Sequence, residues 1–465
     1  MKLKNTLLLL LLALPLYCAA KPSYKITLQI DGNTDSVMYI GYYYAQHTYV
    51  CDTALSNGHG RFQFEGNHEL LPGLYFFSNA KGRYVEFVVY GEKQQFRFRT
   101  SESDWTANMT VSGSEQNRVF YEYHHANNGL YEELNAARKS MDSSSLAAFQ
   151  RHQYERLDSL KYSIMDRYPQ SMIARMISAT RDVSIPTTDS AGNTLAQNDR
   201  WRYLADHYFD YIPLDDNFIV RTPQAIFYQR VIDYRDKVLQ GLPPEMLIPL
   251  IDTMIERSNP APEVFKWLVH TMTEHYLQSP IMVYDEVYVH LVQRYYATGR
   301  AFWSSPAVID EQVERATKWE RILVGREAPE LILFDTLRHP RSLHHMPGRY
   351  TLLLFWSPTC GHCRDIIPAV YDVFAEYAEK LDLSAFAILT EPDEETEKKW
   401  KHFLAEHGMT SPRWVNFNGG EANVDWREVY DVTTTPQIFF IDNKDHKILA
   451  KKLGADILRQ ICERL

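Results

Sequence analysis

Cysteine is scarce in this chain, with 5 residues among 465, at positions 18, 51, 360, 363 and 462. So few cannot staple a protein of this length, which excludes a disulfide scaffold. Long apolar runs are missing too. Beyond the first twenty residues no stretch reaches the ~18 consecutive apolar residues of a membrane-spanning helix, so no transmembrane segment is expected. Basic charge is in deficit, because 49 Lys+Arg face 59 Asp+Glu and leave a net charge of -10. A chain with that balance repels polyphosphate as a whole and argues against nucleic acid as partner. No motif recurs at a fixed period, which removes a solenoid. What is present is a globular composition, 45% hydrophobic and 23% charged, at a length that predicts about three domains.

The first twenty residues read as a secretory leader. Lys2 and Lys4 precede the apolar run Leu7 to Leu14, and the small residues Ala19 and Ala20 follow. Cys18 raises acylation at the cleavage point, as in lipoproteins. Tyr17 stands where that signal carries a small residue, so plain cleavage near Ala20 is the expectation.

From 21 to 112 short β-rich runs follow one another: Tyr24 to Ile30, Ser36 to Tyr44, Arg61 to Glu65, Leu74 to Ser78, Tyr84 to Tyr90 and Gln95 to Arg99. Asn57-Gly58 and Pro72-Gly73 fit chain reversals, and the spacing predicts an antiparallel β-sandwich. From 113 to 323 the period turns helical and predicts an all-α domain, with helices over Met172 to Thr180, Glu245 to Arg257, Pro262 to Leu277 and Val308 to Ile322 among others. Its cluster Tyr121, Tyr123, His124 and His125 suits packing better than metal. His270 and His275, five apart, lie about 140° apart around a helix and share no face.

From 324 to 465 strands and helices alternate, which predicts an α/β module with a central sheet. At the junction of its buried strand Tyr350 to Trp356 with a long helix stands Trp356-Ser357-Pro358-Thr359-Cys360-Gly361-His362-Cys363. A cysteine at a helix N-terminus meets unpaired N-H groups and the positive dipole end, which stabilise a thiolate. Cys360 is then the nucleophile. Cys363, about one turn on, can attack a mixed disulfide on Cys360 and release the product. A cationic His362 beside them favours the reduced dithiol, making the disulfide a better oxidant.

Cys-Gly-His-Cys matches the active-site tetrapeptide of protein disulfide isomerases, and the segment resembles the TlpA/ResA-like branch of the thioredoxin superfamily. Gly325-Arg326-Glu327-Ala328-Pro329-Glu330-Leu331 looks like that branch's opening segment, and Pro368 like the proline that bends the active-site helix. Thr433-Thr434-Thr435-Pro436-Gln437-Ile438-Phe439-Phe440 looks like the loop and strand bearing the family's cis-proline. The resemblance implies a thioredoxin fold, a cis Thr435-Pro436 bond, and Thr435, Pro436 and Trp356 positioning an extended substrate. It covers residues 325 to 465. Departures matter. Leu354 replaces the buried aspartate of thioredoxins, Ile366 a glutamate frequent in this branch, and Thr359 a tryptophan. Glu391, past the strand Ala385 to Leu389, is the substitute proton acceptor.

A zinc site lacks a second cysteine pair, haem attachment would need histidine where Arg364 stands, and a peroxidatic signature is missing. A simple staple constrains almost nothing by loop closure. Cys51 and Cys462 are expected as buried thiols, with a bridge between them as the alternative. The expectation is an exported thiol-disulfide oxidoreductase acting on protein thiols or disulfides. It needs no cofactor beyond the redox-active Cys360-Cys363 pair and no metal, and a membrane electron donor is a candidate partner. The resemblance places it in the periplasm of a Gram-negative bacterium. The rival is a partner- or glycan-binding scaffold on a passive thioredoxin platform.

Overall fold

The computed structural model describes residues 22–335 and 338–465; the leader and Cys18 lie outside them. The chain divides into two compact units, residues 1–240 with 260–264, and 241–259 with 265–465.

In the first unit eight strands come in order: β1 (Tyr24–Asp31), β2 (Val37–Tyr44), β3 (His47–Leu55), β4 (Arg61–Gly66), β5 (Gly73–Asn79), β6 (Tyr84–Val89), β7 (Gln95–Ser101) and β8 (Thr110–Ser112). They form two four-stranded sheets, β4-β1-β7-β8 and β3-β2-β5-β6. Alternation in β4 and β7 turns Phe62, Phe64, Phe96 and Phe98 inward, where all are buried. Phe98 meets Phe77 of the other sheet edge-on at 5.3 Å.

The sandwich is not purely antiparallel, because β1 and β7 pair in parallel, Lys25 opposite Gln95. A parallel pair needs a crossover, and here the intervening chain supplies it by building the opposite sheet. β3 was not expected. It lies at a sheet edge and exposes almost every residue, so no apolar alternation marks it. Its Cys51 is exposed rather than buried, while Cys462 is buried; both are free thiols.

The α-helices described in this unit are α1 (Glu115–Ser140), α2 (Ser143–Arg167), α3 (Met172–Ala179), α4 (Gln197–His207) and α5 (Tyr228–Asp233). Ser114 caps α1 by accepting from the Asn117 N–H. Buried Asn117 then pairs with the edge of β6: its side chain donates to the Val88 carbonyl and accepts from the Val88 N–H, each at 2.7 Å. That closes backbone groups an edge strand leaves open. His124 packs on Phe120 at 4.2 Å between ring centres, and burial pushes its pKa down to about 4. It is a packing residue.

The helices α6 (Pro244–Arg257), α7 (Pro262–Leu277), α8 (Asp285–Leu291) and α9 (Pro306–Arg321) precede the α/β module. The module runs β9 (Ile332–Asp335), β10 (Pro340–Ser342), β11 (Tyr350–Trp356), α10 (Gly361–Tyr377), β12 (Leu383–Leu389), α11 (Glu394–Glu406), β13 (Trp414–Ala422), α12 (Trp426–Val429), β14 (Gln437–Asp442), β15 (Lys447–Lys451) and α13 (Ala455–Arg464). Its sheet has seven strands in the order β10-β9-β13-β12-β11-β14-β15. β11 is central, parallel to β12 and antiparallel to β14. Both β11 and β12 are apolar runs because both faces are covered. Leu352, Leu354 and Trp356 face one core with Ile367 and Phe374 of α10, and Leu353 and Phe355 face the other with Trp426 and Tyr430. The hairpin β9-β10 was not anticipated; its outward Ile332 and Phe334 break the apolar signal.

Within the second unit α8 is tied to β15 by a buried charge cluster. Asp285, 1% exposed, takes the Lys451 and Lys452 ammonium groups at 2.7 Å each, and Lys451 is itself buried. Burial lowers the Lys451 pKa against the pull of Asp285. Removing one partner of such a cluster strands a buried charge. Asp285→Ala should therefore destabilise the protein by about 3–5 kcal/mol, whereas Asp285→Leu combined with Lys451→Met should recover most of it. Urea unfolding followed by circular dichroism checks both; equal losses in the single and double variants would contradict the ion-pair account.

Candidate active site

The site forms where β11 runs out and α10 begins. Ser357, Pro358 and Thr359 turn the chain, and Cys360 takes the N-cap position with extended φ of -76° and ψ of 118°. Its thiol donates to the Thr435 carbonyl at 3.4 Å, and the Thr435-Pro436 bond is cis. The two segments that the motif reading singled out thus meet at one sulfur.

The two thiols differ sharply. Cys360 is partly exposed, and its pKa lies below the ordinary thiol value. Burial alone would raise it. Hydrogen bonding from the Thr435 side chain, from the Cys363 N–H and thiol, and from the His362 N–H outweighs that cost. Cys363 is 0% exposed, and burial pushes its thiol up to about 11. One sulfur is therefore the more readily ionised and reachable, the other held protonated and shielded.

The remaining expected residues fall into different places. His362 is exposed and lines a cleft of about 450 Å³ that also holds Pro436. Gly361 is exposed, and a Cβ there would meet nothing nearer than the Arg364 guanidinium at 3.9 Å, so space does not demand glycine. Trp356 cannot position a substrate by contact: it is 0% exposed and packs on Phe403 at 5.3 Å between ring centres. Its alternation on β11 sends it into the core beneath the site. Leu354, at the place of the family's buried aspartate, is likewise 0% exposed among apolar neighbours.

Glu391 reaches the motif by another route than proton transfer. Its carboxylate accepts from the Ser357 hydroxyl at 2.7 Å and from the Thr359 hydroxyl, and these bonds, Thr359 first, hold it below the usual carboxylate range. A carboxylate meant to take a thiol proton needs its pKa raised by burial. Glu391 is exposed and stays ionised, so its part is to anchor the loop that presents Cys360.

Sequence reasoning missed Asp431 and Trp319. Asp431 holds a left-handed φ of 49°, and its carbonyl accepts from the Thr433 N–H and the Gln437 side chain, each at 3.0 Å. The Trp319 indole N–H donates to its carboxylate at 2.6 Å. Together they hold the loop that carries Pro436. An aspartate in a threonine-rich loop gave the only sequence signal, and Trp319 gave none. Among the described residues no group of three or more His, Cys, Asp or Glu side chains is placed to hold a metal ion.

Residues 324–450 match the AhpC/TSA family. Residues 24–120 match the domain of unknown function DUF4369, and 136–319 the domain of unknown function DUF5106. The thiol-disulfide oxidoreductase ResA of Bacillus thuringiensis subsp. konkukian is 28% identical over 149 residues, 32% of this chain and 80% of that protein. The thioredoxin-like protein YneN of Bacillus subtilis is 29% identical over 120 residues, 26% of this chain and 66% of its own. A solved thioredoxin-like protein from Bacteroides caccae aligns with TM-score 0.48 and 19% identity over 61% of this chain and 99% of its own.

The two thiols should titrate far apart. Iodoacetamide should modify Cys360 at a pH below that needed for free cysteine and leave Cys363 unmodified until near its pKa of about 11. Mass spectrometry of the alkylated peptides across a pH series reads both curves. Equal labelling of the two cysteines near neutral pH would refute the asymmetry.

Proposed function

We propose that this chain, whose C-terminal third is a thioredoxin-like domain homologous to the thiol-disulfide oxidoreductases, exchanges dithiol for disulfide on protein cysteines outside the cytoplasm. The carrying observation is the opposed pair: a depressed, reachable Cys360 and a raised, buried Cys363, one helical turn apart, with Cys360 against the loop of Pro436. Export is supported by the leader pattern Lys2, Lys4, Leu7 to Leu14 and Ala19-Ala20.

In the reductive direction the Cys360 thiolate attacks one sulfur of a substrate disulfide. The substrate S–S bond breaks, its second sulfur leaves as thiolate, and a mixed disulfide forms on Cys360. Cys363 then gives up its proton and attacks the Cys360 sulfur, which closes the Cys360–Cys363 disulfide and frees the substrate's first sulfur as a thiol. Two electrons pass from the pair to the substrate. A dithiol donor, such as a membrane partner, restores the pair by the same exchange in reverse. The chemistry is complete in two cysteines and requires no bound cofactor.

A passive platform for a binding scaffold would have no use for the split between the two thiols. Either cysteine of a mere staple could be lost with similar effect. As an enzyme, the protein should lose exchange in Cys360→Ser, while Cys363→Ala should accumulate dithiothreitol-sensitive complexes with client proteins. Non-reducing gels read the complexes; wild-type exchange in both variants would overturn the catalytic reading. A glutathione titration then sets the direction, because a potential near about -270 mV marks a reductant and one near about -180 mV an isomerase.

A further inference from the structure

The cleft beside His362 and Pro436 is not built by the thioredoxin-like module alone. Leu277 from the end of α7 and Trp319 from α9 line it together with Ile366 and Pro436, and all four are partly exposed. Lys452 stands at the rim, two-thirds of its side chain withdrawn from solvent. The charges around it are already matched. Asp285 holds both Lys451 and Lys452, and Asp431 holds the Trp319 indole N–H. What the cleft offers a visitor is therefore apolar and polar surface in about equal share, with Trp319, Leu277 and Ile366 among its apolar parts and its charges already paired.

Trp319 is held by three neighbours. Its ring packs on Tyr288 at 4.9 Å between centres, the Lys452 ammonium sits 5.3 Å from its centroid, and its N–H is taken by Asp431. One residue before it, Lys318 bonds Glu428 at 2.7 Å. The helix is thus fastened to the segment that carries Pro436, and its indole is held within the same cleft as His362 and Pro436. A rigid, partly exposed aromatic is the kind of group that anchors a partner side chain.

Resting on the oxidoreductase reading, we propose that α9 supplies the outer wall of the substrate cleft and that Trp319 is a specificity-determining residue. It selects extended protein segments whose reacting cysteine is flanked by an aromatic or large apolar side chain. The cleft runs on from His362 and Pro436, so a segment bonded to Cys360 lies along it, and its neighbouring side chain falls between Trp319, Leu277 and Ile366. The helical region then acts in the reaction through one wall of the cleft.

The test uses the full-length reduced protein and two peptides in disulfide linkage with glutathione, identical except for Phe or Ser on either side of the cysteine. Single-turnover rate constants should favour the Phe peptide by ~10-fold in the wild type. Trp319→Ala should bring the ratio close to one, and Trp319→Phe, which keeps a ring but loses the N–H to Asp431, should retain a clear preference. If Trp319 only held the loop, both variants would slow both peptides alike and leave the ratio unchanged; that result, or a wild type with no preference, overturns the proposal. Should Trp319→Ala fail to fold, Leu277→Ser at the lip carries the test, and an unchanged ratio there overturns it equally. A wild type that reduces neither peptide would instead bring down the oxidoreductase reading on which the proposal rests.

Discussion

Burial works against a thiolate, and at Cys360 the first turn of α10 works for it. An N-cap cysteine faces N–H groups that no helical carbonyl can use, so each one turned on the sulfur lowers the cost of charge there. Here the amides of His362 and Cys363 are joined by the Thr435 side chain, and together they outweigh desolvation. Three residues further on the balance inverts: Cys363 is buried, and desolvation dominates. The chemistry of the pair is thus a matter of where the helix starts. The residues around it serve to keep that start in place.

The presenting loop is fastened on both sides. On one, ionised Glu391 accepts from Ser357 and Thr359, the two hydroxyls that precede the nucleophile. On the other, Asp431 fixes the turn before Pro436 while Trp319 and Lys318 of α9 hold Asp431 and Glu428. The buried ion cluster at Asp285 secures the same face from α8. A reactive sulfur and the backbone it meets can be kept within hydrogen-bond range only when both loops are pinned, because loops alone supply few buried apolar contacts.

Much of this could be read in the sequence where the signal is local. Pro262–Leu277, Gln437–Asp442 and Ala455–Arg464 have the bounds that periodicity suggested, since each has a single buried face or a fully apolar run between strong breakers. The Cys360-Gly361-His362-Cys363 motif was legible for the same reason: a few neighbouring residues carry it. The parallel pairing of β1 with β7 was not, because register between distant strands leaves no mark in either one. β3 hides for a different reason, exposing both faces at an edge. α1 lies over β6 through Asn117, a polar residue whose partner Val88 is 29 positions away.

The site follows the same division. Glu391 lies just past the end of a strand, a position that by itself points to a proton acceptor, but its job depends on which hydroxyls it meets. Trp319 and Asp431 lie 112 residues apart and come from elements of different class. No spacing rule connects them. Trp356 shows the converse limit: adjacency to the motif suggested contact with substrate, yet alternation along a doubly covered strand sends its side chain inward. Residues that make the chemistry are local to the helix start, whereas residues that aim it are gathered by the fold. An accessory helix packed against the Pro436 loop can therefore change what reaches Cys360 without touching the thiol pair itself.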